Sequence, residues 1–175
     1  MFLIRPAQGT DALSTMKLKQ SVLQQSRFLL LEPDEYQPTL ESEINFIERF
    51  EKAENSTFLL ALDEDNAIGH IAAHGNNCRR NRHCATVFMA VHQAYWGQGV
   101  GRRLMQNLLQ WFEQSPLSRL ELTTAVDNER AFSLYQSIGF ELEGTKQQDI
   151  IVDGKPIDSY LMSYLKQNSN TREST

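Results

Sequence analysis

The run Trp96-Gly97-Gln98-Gly99-Val100-Gly101-Arg102-Arg103 places glycine at three alternate positions. It lies between an apolar stretch ending Met89-Ala90-Val91 and a segment of helical apolar periodicity that begins near Gly99. Glycine has no Cβ, so a loop built on it adopts left-handed dihedrals and turns consecutive backbone N–H groups toward one point. Where such a loop opens a helix, the unpaired N–H groups of the first turn and the helix dipole draw an anion to the same place. Arg102 and Arg103 add full positive charge. The chemistry predicted is phosphate or pyrophosphate binding, with the backbone amides of Gln98, Gly99, Gly101 and Arg102 as donors. A Walker loop is excluded, because no Gly-Lys-Ser/Thr ending follows. A dinucleotide fingerprint is excluded too, because the spacing is G-x-G-x-G and the run sits past mid-chain.

A second informative segment follows one predicted helix and one predicted strand later, from Asn128 to Phe140. Asn128 is a good helix N-cap. Ala131, Leu134, Tyr135 and Ile138 form an i, i+3, i+4, i+7 stripe, so Tyr135 also reads as a core position. Taken together, the two segments resemble the GCN5-related N-acetyltransferase (GNAT) superfamily. Trp96 to Gly101 is similar to its acetyl-CoA signature, Gln/Arg-x-x-Gly-x-Gly/Ala, with both glycines matched and Trp96 in place of the leading Gln or Arg. Asn128 to Phe140 matches the superfamily's Asn-x-x-Ala-x-x-Leu-Tyr-x-x-x-Gly-Phe pattern at every named position.

The resemblance implies an α/β GNAT fold: a central mixed, mostly antiparallel sheet of six to seven strands flanked by about four helices. It implies an enzyme that transfers acetyl from acetyl-CoA to a primary amine by direct attack in a ternary complex. The acetyl-CoA contacts would be Met89, Ala90, Val91, Trp96, Gly97, Gln98, Gly99, Val100, Gly101, Arg102, Arg103, Asn128 and Tyr135. A splay or bulge at Met89-Ala90-Val91 would free backbone groups for the pantetheine arm and the thioester carbonyl, and Asn128 would bond the same arm. Tyr135 would stand near the sulfur as general acid. An alkyl ammonium has a reference pKa of about 10.4, so the acceptor must lose a proton before it attacks. Glu121, which alternates with Leu120 and Leu122 and shares a strand face with Thr123, is the candidate base. His70, His74 and His83 stand behind it. Small amines, amino acids, antibiotics and protein N-termini all remain open as acceptors. A catalytically silent acyl-CoA-binding sensor or interaction domain is the rival reading.

The elements that must position these residues follow from pattern. With 175 residues, 41% hydrophobic and 22% charged, the chain is expected to form one domain over residues 1–166 and a polar, disordered tail from 167 to 175. A net charge of -5 argues against nucleic acid as a partner. No run approaches the roughly 18 apolar residues of a spanning helix, so no membrane partner and a cytoplasmic location are expected. Cys78 and Cys84 fit no zinc spacing, and no metal is expected. A homodimer is compatible with the resemblance. Strands are predicted near 2–5, 58–62, 67–74 and 84–92, with the last three as an antiparallel meander. Another, at 120–126, lies parallel to the glycine-loop strand, and the sheet is completed by 140–145, 148–152 and 157–165. Helices are predicted near 11–25, from Thr39 or Ser42 to about 51, 99–113 and 128–138. Eight carboxylates in and before the second helix, Glu32, Asp34, Glu35, Glu41, Glu43, Glu48, Glu51 and Glu54, read as a solvated face, with an acidic wall for a cationic amine as the alternative.

Overall fold

The computed structural model describes residues 2–167; the tail expected beyond them lies outside the described residues. Strand β1 (Leu3–Pro6) is followed by a single 3-10 turn, then α1 (Ala12–Gln25) and α2 (Leu40–Glu51). Next come β2 (Thr57–Asp63), β3 (Asn66–Gly75) and β4 (Cys84–Val91). The glycine loop leads into α3 (Val100–Gln114), and β5 (Arg119–Ala125), α4 (Glu129–Ile138), β6 (Glu141–Val152) and β7 (Lys155–Leu165) complete the chain.

The strands form a seven-stranded sheet in the order β1-β2-β3-β4-β5-β7-β6, in which β4 and β5 alone run parallel. That one parallel pair is dictated by α3, since a helix crossover returns the chain to the starting end of the sheet. One face carries α3 and α4. Leu104, Leu108 and Phe112 of α3 are fully buried there with Ala85, Leu120, Leu122 and Met162 of the sheet. The other face carries α1 and α2, where Ile47 and Phe50 pack on Phe58, Leu60, Leu62 and Ala72.

Local chemistry sets the helix starts. Thr39 caps α2 by accepting from the Ser42 amide at 3.1 Å, and the Ser42 hydroxyl accepts from the Thr39 amide at 3.0 Å. Asn128 caps α4 through its side-chain oxygen, which accepts from the Ala131 amide at 3.3 Å. One predicted boundary differs. The segments expected as separate strands at 140–145 and 148–152 are one strand, β6. The polar break between them is absorbed as a register shift against β7 between Lys146 and Ile150, with Gln148 in the left-handed region at φ 53°.

One feature of the sheet bears directly on function. Strand β4 pairs with β5 over only three positions, Cys84 to Thr86 against Arg119 to Glu121. It stays paired with β3 as far as Val91, while β5 stays paired with β7 as far as Ala125. From Val87 onward the two central strands diverge. The expected opening at Met89-Ala90-Val91 is therefore a splay between β4 and β5, and the β3–β4 ladder passes it without a register shift.

Candidate active site

The splay is the middle of a long cleft of about 1460 Å³. At one end lies the glycine loop. Gly97 and Gly99 take φ of 76° and 79°, and Gly99 is the N-cap of α3 in the left-handed conformation, where most other residues are strained. The first α3 amide with a partner is that of Arg103, which donates to the Gly99 carbonyl at 3.0 Å. Among the described residues, the amides of Gln98, Gly99, Gly101 and Arg102 have no protein acceptor. They form the donor array that the loop spacing predicts, at the positive end of a fifteen-residue helix. Such an array can receive an anion.

Trp96 is anchored by donating its indole N–H to the Val91 carbonyl at 2.7 Å, and the Arg130 guanidinium lies 4.7 Å from its ring centroid. The indole thus holds a cation from α4 beside the loop. Arg102 donates to the Ser137 hydroxyl at 2.9 Å and lines the cleft. Arg103 does not; its guanidinium sits 4.2 Å over the Phe2 ring, away from the loop mouth. The Gln98 side chain folds back to donate to the Ala94 carbonyl, which leaves only its backbone amide for an anion.

Met89, Ala90 and Val91 form one wall of the splay, and Thr123, Thr124 and Ala125 form the other. Asn128 and Tyr135 also line the cleft. The cap occupies the Asn128 side-chain oxygen, so its NH2 group is left to donate elsewhere. Tyr135 is only 8% exposed, and its hydroxyl makes no hydrogen bond among the described residues. Burial pushes this phenol up to about 12, so it keeps its proton at any working pH.

Glu121, the candidate base, is not brought into the cleft. It sits where β4 and β5 are still paired, opposite Thr86, and its carboxylate accepts from Arg119 Nε at 3.1 Å. The same Arg119 binds Glu143 through two bonds of 2.7 and 2.6 Å, and Glu143 also accepts from the Ser163 hydroxyl. Glu121 therefore belongs to an ion network on the open sheet face. Glu121→Gln is expected to change turnover by less than about threefold, because its carboxylate does not line the cleft and is paired with Arg119; steady-state kinetics on the purified variant checks it.

Of the histidines, His74 packs edge-on against Phe50, and the backbone carbonyl of His83 accepts from the amides of Ser118 and Arg119; neither lines the cleft. His70 does line it, and its Nδ1 is buried without a protein partner. Burial, and secondarily the Lys19 charge, push this imidazole down to about 3, so it stays neutral and accepts a proton poorly.

The far end of the cleft holds residues that sequence reasoning missed. Lys19 donates to Glu43 at 2.6 Å with side chains only 15% and 4% exposed, and the Tyr36 hydroxyl donates to the other Glu43 oxygen at 3.0 Å. Glu43 is thus the one of the eight carboxylates read as a solvated face that is buried and lines the cleft, and it is already neutralised. The alternative of an acidic wall for a cationic amine fails for that reason. The signal was present in the pattern: Lys19 lies beside the buried stripe Thr15, Leu18 and Val22, and Glu43 begins the buried stripe Glu43, Ile47 and Phe50. A charge on the inward stripe of each of two packed helices points to a buried pair. Glu43→Gln is expected to lower unfolding free energy by about 2 kcal/mol, as for loss of a charged hydrogen bond, measured by urea denaturation.

Residues 23–140 match the model of the acetyltransferase (GNAT) family. The chain belongs to that family. The L-amino acid N-acetyltransferase AaaT of Escherichia coli is 29% identical to this GNAT chain over 109 residues, 62% of this chain and 67% of that enzyme. Three further curated relatives are matched over 19%, 44% and 55% of their own length. The acetyltransferase of the GNAT family from Streptococcus pneumoniae superposes with a TM-score of 0.91 at 30% identity, covering 95% of this chain and all of that one. A phosphinothricin acetyltransferase from Sinorhizobium meliloti, solved in complex with acetyl-CoA, shares the fold at a TM-score of 0.84 and 18% identity, covering 99% of this chain and 93% of that one. The expected fold is therefore the observed one. No helix among the described residues is long and apolar enough to cross a membrane.

Proposed function

We propose that this GNAT chain transfers the acetyl group of acetyl-CoA to a primary amine held in the same cleft. The observation that carries the proposal is the continuity of that cleft: an array of unpaired amides at the start of α3 leads directly into the β4–β5 splay, with the free Tyr135 hydroxyl along the way. A pyrophosphate on the loop would send a pantetheine arm between strands whose edges are unpaired there, with the backbone groups of β4 and the Asn128 amide as its partners.

Acetyl-CoA supplies an acetyl group activated as a thioester, whose C–S bond breaks as a C–N bond forms to the acceptor. The acceptor nitrogen, an ammonium at neutral pH, gives up two protons, one before attack and one as the C–N bond forms, and the departing sulfur takes one up, so that one proton is released overall. Tyr135 is suited to the second task as a hydrogen-bond donor. Its raised pKa of about 12, against about 8.5 for a thiol, means that it shares its proton with the sulfur and does not surrender it fully. For the first task, His70 is too weakly basic and Glu121 is elsewhere, so the proton leaves through water in the open cleft. No cysteine lines the cleft, which supports direct transfer without an acetylated enzyme thiol.

The test is acetyl-CoA-dependent release of free thiol across polyamines, amino acids, aminoglycosides and short peptides. Amino acids belong in the panel because the E. coli relative is an L-amino acid N-acetyltransferase. Turnover with one amine class supports the proposal; intact acetyl-CoA binding with no release above hydrolysis on any of them overturns it in favour of a silent binding domain.

A further inference from the structure

Beyond the splay the cleft continues between α1 and α2, where its wall carries Lys19, Tyr36, Glu43, Phe46, Arg49 and His70. Two cations lie against one aromatic ring. Lys19 Nζ is 3.9 Å, and the Arg49 guanidinium carbon 5.6 Å, from the centroid of Phe46. Between them they have one carboxylate, Glu43, and both of its oxygens are already engaged by Lys19 and Tyr36. Among the described residues Arg49 makes no ion pair. The neighbouring charges cancel elsewhere, Glu48 with Lys52 and Asp149 with Lys146. His70 contributes no charge. This end of the cleft is therefore one negative charge short of balance, and the unbalanced cation is a guanidinium, whose planar fork matches a carboxylate.

We propose that Arg49, with Lys19 beside it on the Phe46 ring, binds a carboxylate of the acceptor, so that the acceptor is a free α-amino acid whose amine faces the β4–β5 splay. The inference rests on the acetyl-transfer reading above and names its substrate class. Arg49 is thereby the specificity-determining residue, and Phe46 holds both cations in place through their attraction to its face. The acceptor's side chain is assigned as apolar. The same cleft is walled by Phe28, Leu30, Leu31 and Phe88, with Leu30 80% and Phe88 54% exposed, and apolar residues gathered in one cleft mark a surface that receives an apolar group.

The experiment compares L-leucine with its α-amide as acceptors for the full chain and for Arg49→Gln and Arg49→Lys. The amide keeps the amine and side chain and lacks only the negative charge. Its amine is the less basic, so the comparison is the ratio of the two acceptors' kcat/KM within each protein, and then the change of that ratio on substitution. Arg49→Gln is expected to weaken use of L-leucine by about 10- to 100-fold, mainly in KM, while the amide changes by less than about threefold. Arg49→Lys, which keeps the charge without the fork, is expected to recover part of the loss. An equal effect on both acceptors, or an unaltered ratio, overturns the assignment. Turnover of polyamines or aminoglycosides with neither leucine compound accepted also overturns it, yet leaves acetyl transfer standing. No turnover of any amine removes both.

Discussion

Gly101→Val is expected to weaken acetyl-CoA binding by at least about 1000-fold, roughly 4 kcal/mol, while the far-ultraviolet circular dichroism of the protein is unchanged. Gly101 lies in the first turn of α3, beneath the free amides of the loop. A Cβ built there meets Leu134 Cδ2 at 3.4 Å and Met89 Cε at 3.6 Å, both ordinary contacts, so Gly101→Ala is tolerated. The two γ-carbons of valine have no such room. They must displace Leu134 and Met89, which both line the cleft, or project over the amides that receive the pyrophosphate. Gly99 behaves differently, because a Cβ there meets nothing within 4 Å and its φ of 79° is the sole constraint. Gly99→Asn should therefore be milder than Gly99→Val, since asparagine tolerates the left-handed region and a β-branched residue does not. Isothermal titration with acetyl-CoA measures all four variants. Unchanged affinity in Gly101→Val would mean that the phosphates lie elsewhere.

Tyr135→Phe is expected to lower kcat by about 100-fold, at the low end of general-acid contributions, with acetyl-CoA affinity altered by less than about threefold. The phenol is buried in the core cluster with Phe140, which follows the C-terminus of α4 and whose ring centroid is 6.0 Å away, so removing one oxygen leaves the packing in place. The pH profile carries a separate prediction. Burial raises this group, so the protonated donor is present throughout the neutral and alkaline range and is lost only as pH rises through about 12. The acceptor ammonium titrates below that, and its neutral form gains as pH rises. The rate should thus climb with pH from neutrality to at least pH 10 without a descending limb from Tyr135. A falling limb near the ordinary tyrosine value, absent from the Phe variant, would mean that the phenol is less buried than the fold places it.

The parts of the site that the sequence made legible are those carried by one contiguous segment. The alternate glycines, the Asn128 cap and the helical stripe through Tyr135 each encode their geometry within a single turn, and local spacing was enough to read them. The acceptor end was hidden for the opposite reason. Lys19 and Glu43 stand on different helices and meet only when α1 and α2 pack, so the inward stripe could mark each as buried but could not name its partner. Glu121 shows how a correct local reading misleads. Its strand face was assigned properly by alternation, but Arg119 on the same face donates to its carboxylate and is itself held by Glu143 two strands away, which keeps the group out of the cleft. Arg102 and Arg103 are adjacent in sequence and one residue of helix rotation apart in space, which sends one to Ser137 and the other to Phe2. The splay is a relation among β3, β4, β5 and β7, and no single stretch of residues states it.

Incubation of the full chain with acetyl-CoA and L-leucine, followed by mass spectrometry of the acceptor and thiol titration of the same sample, tests the account most directly. The predicted result is acetyl on the α-nitrogen in one-to-one proportion with free thiol, reduced together in Tyr135→Phe. Thiol release without an acetylated amine, or bound acetyl-CoA that yields neither, would contradict it.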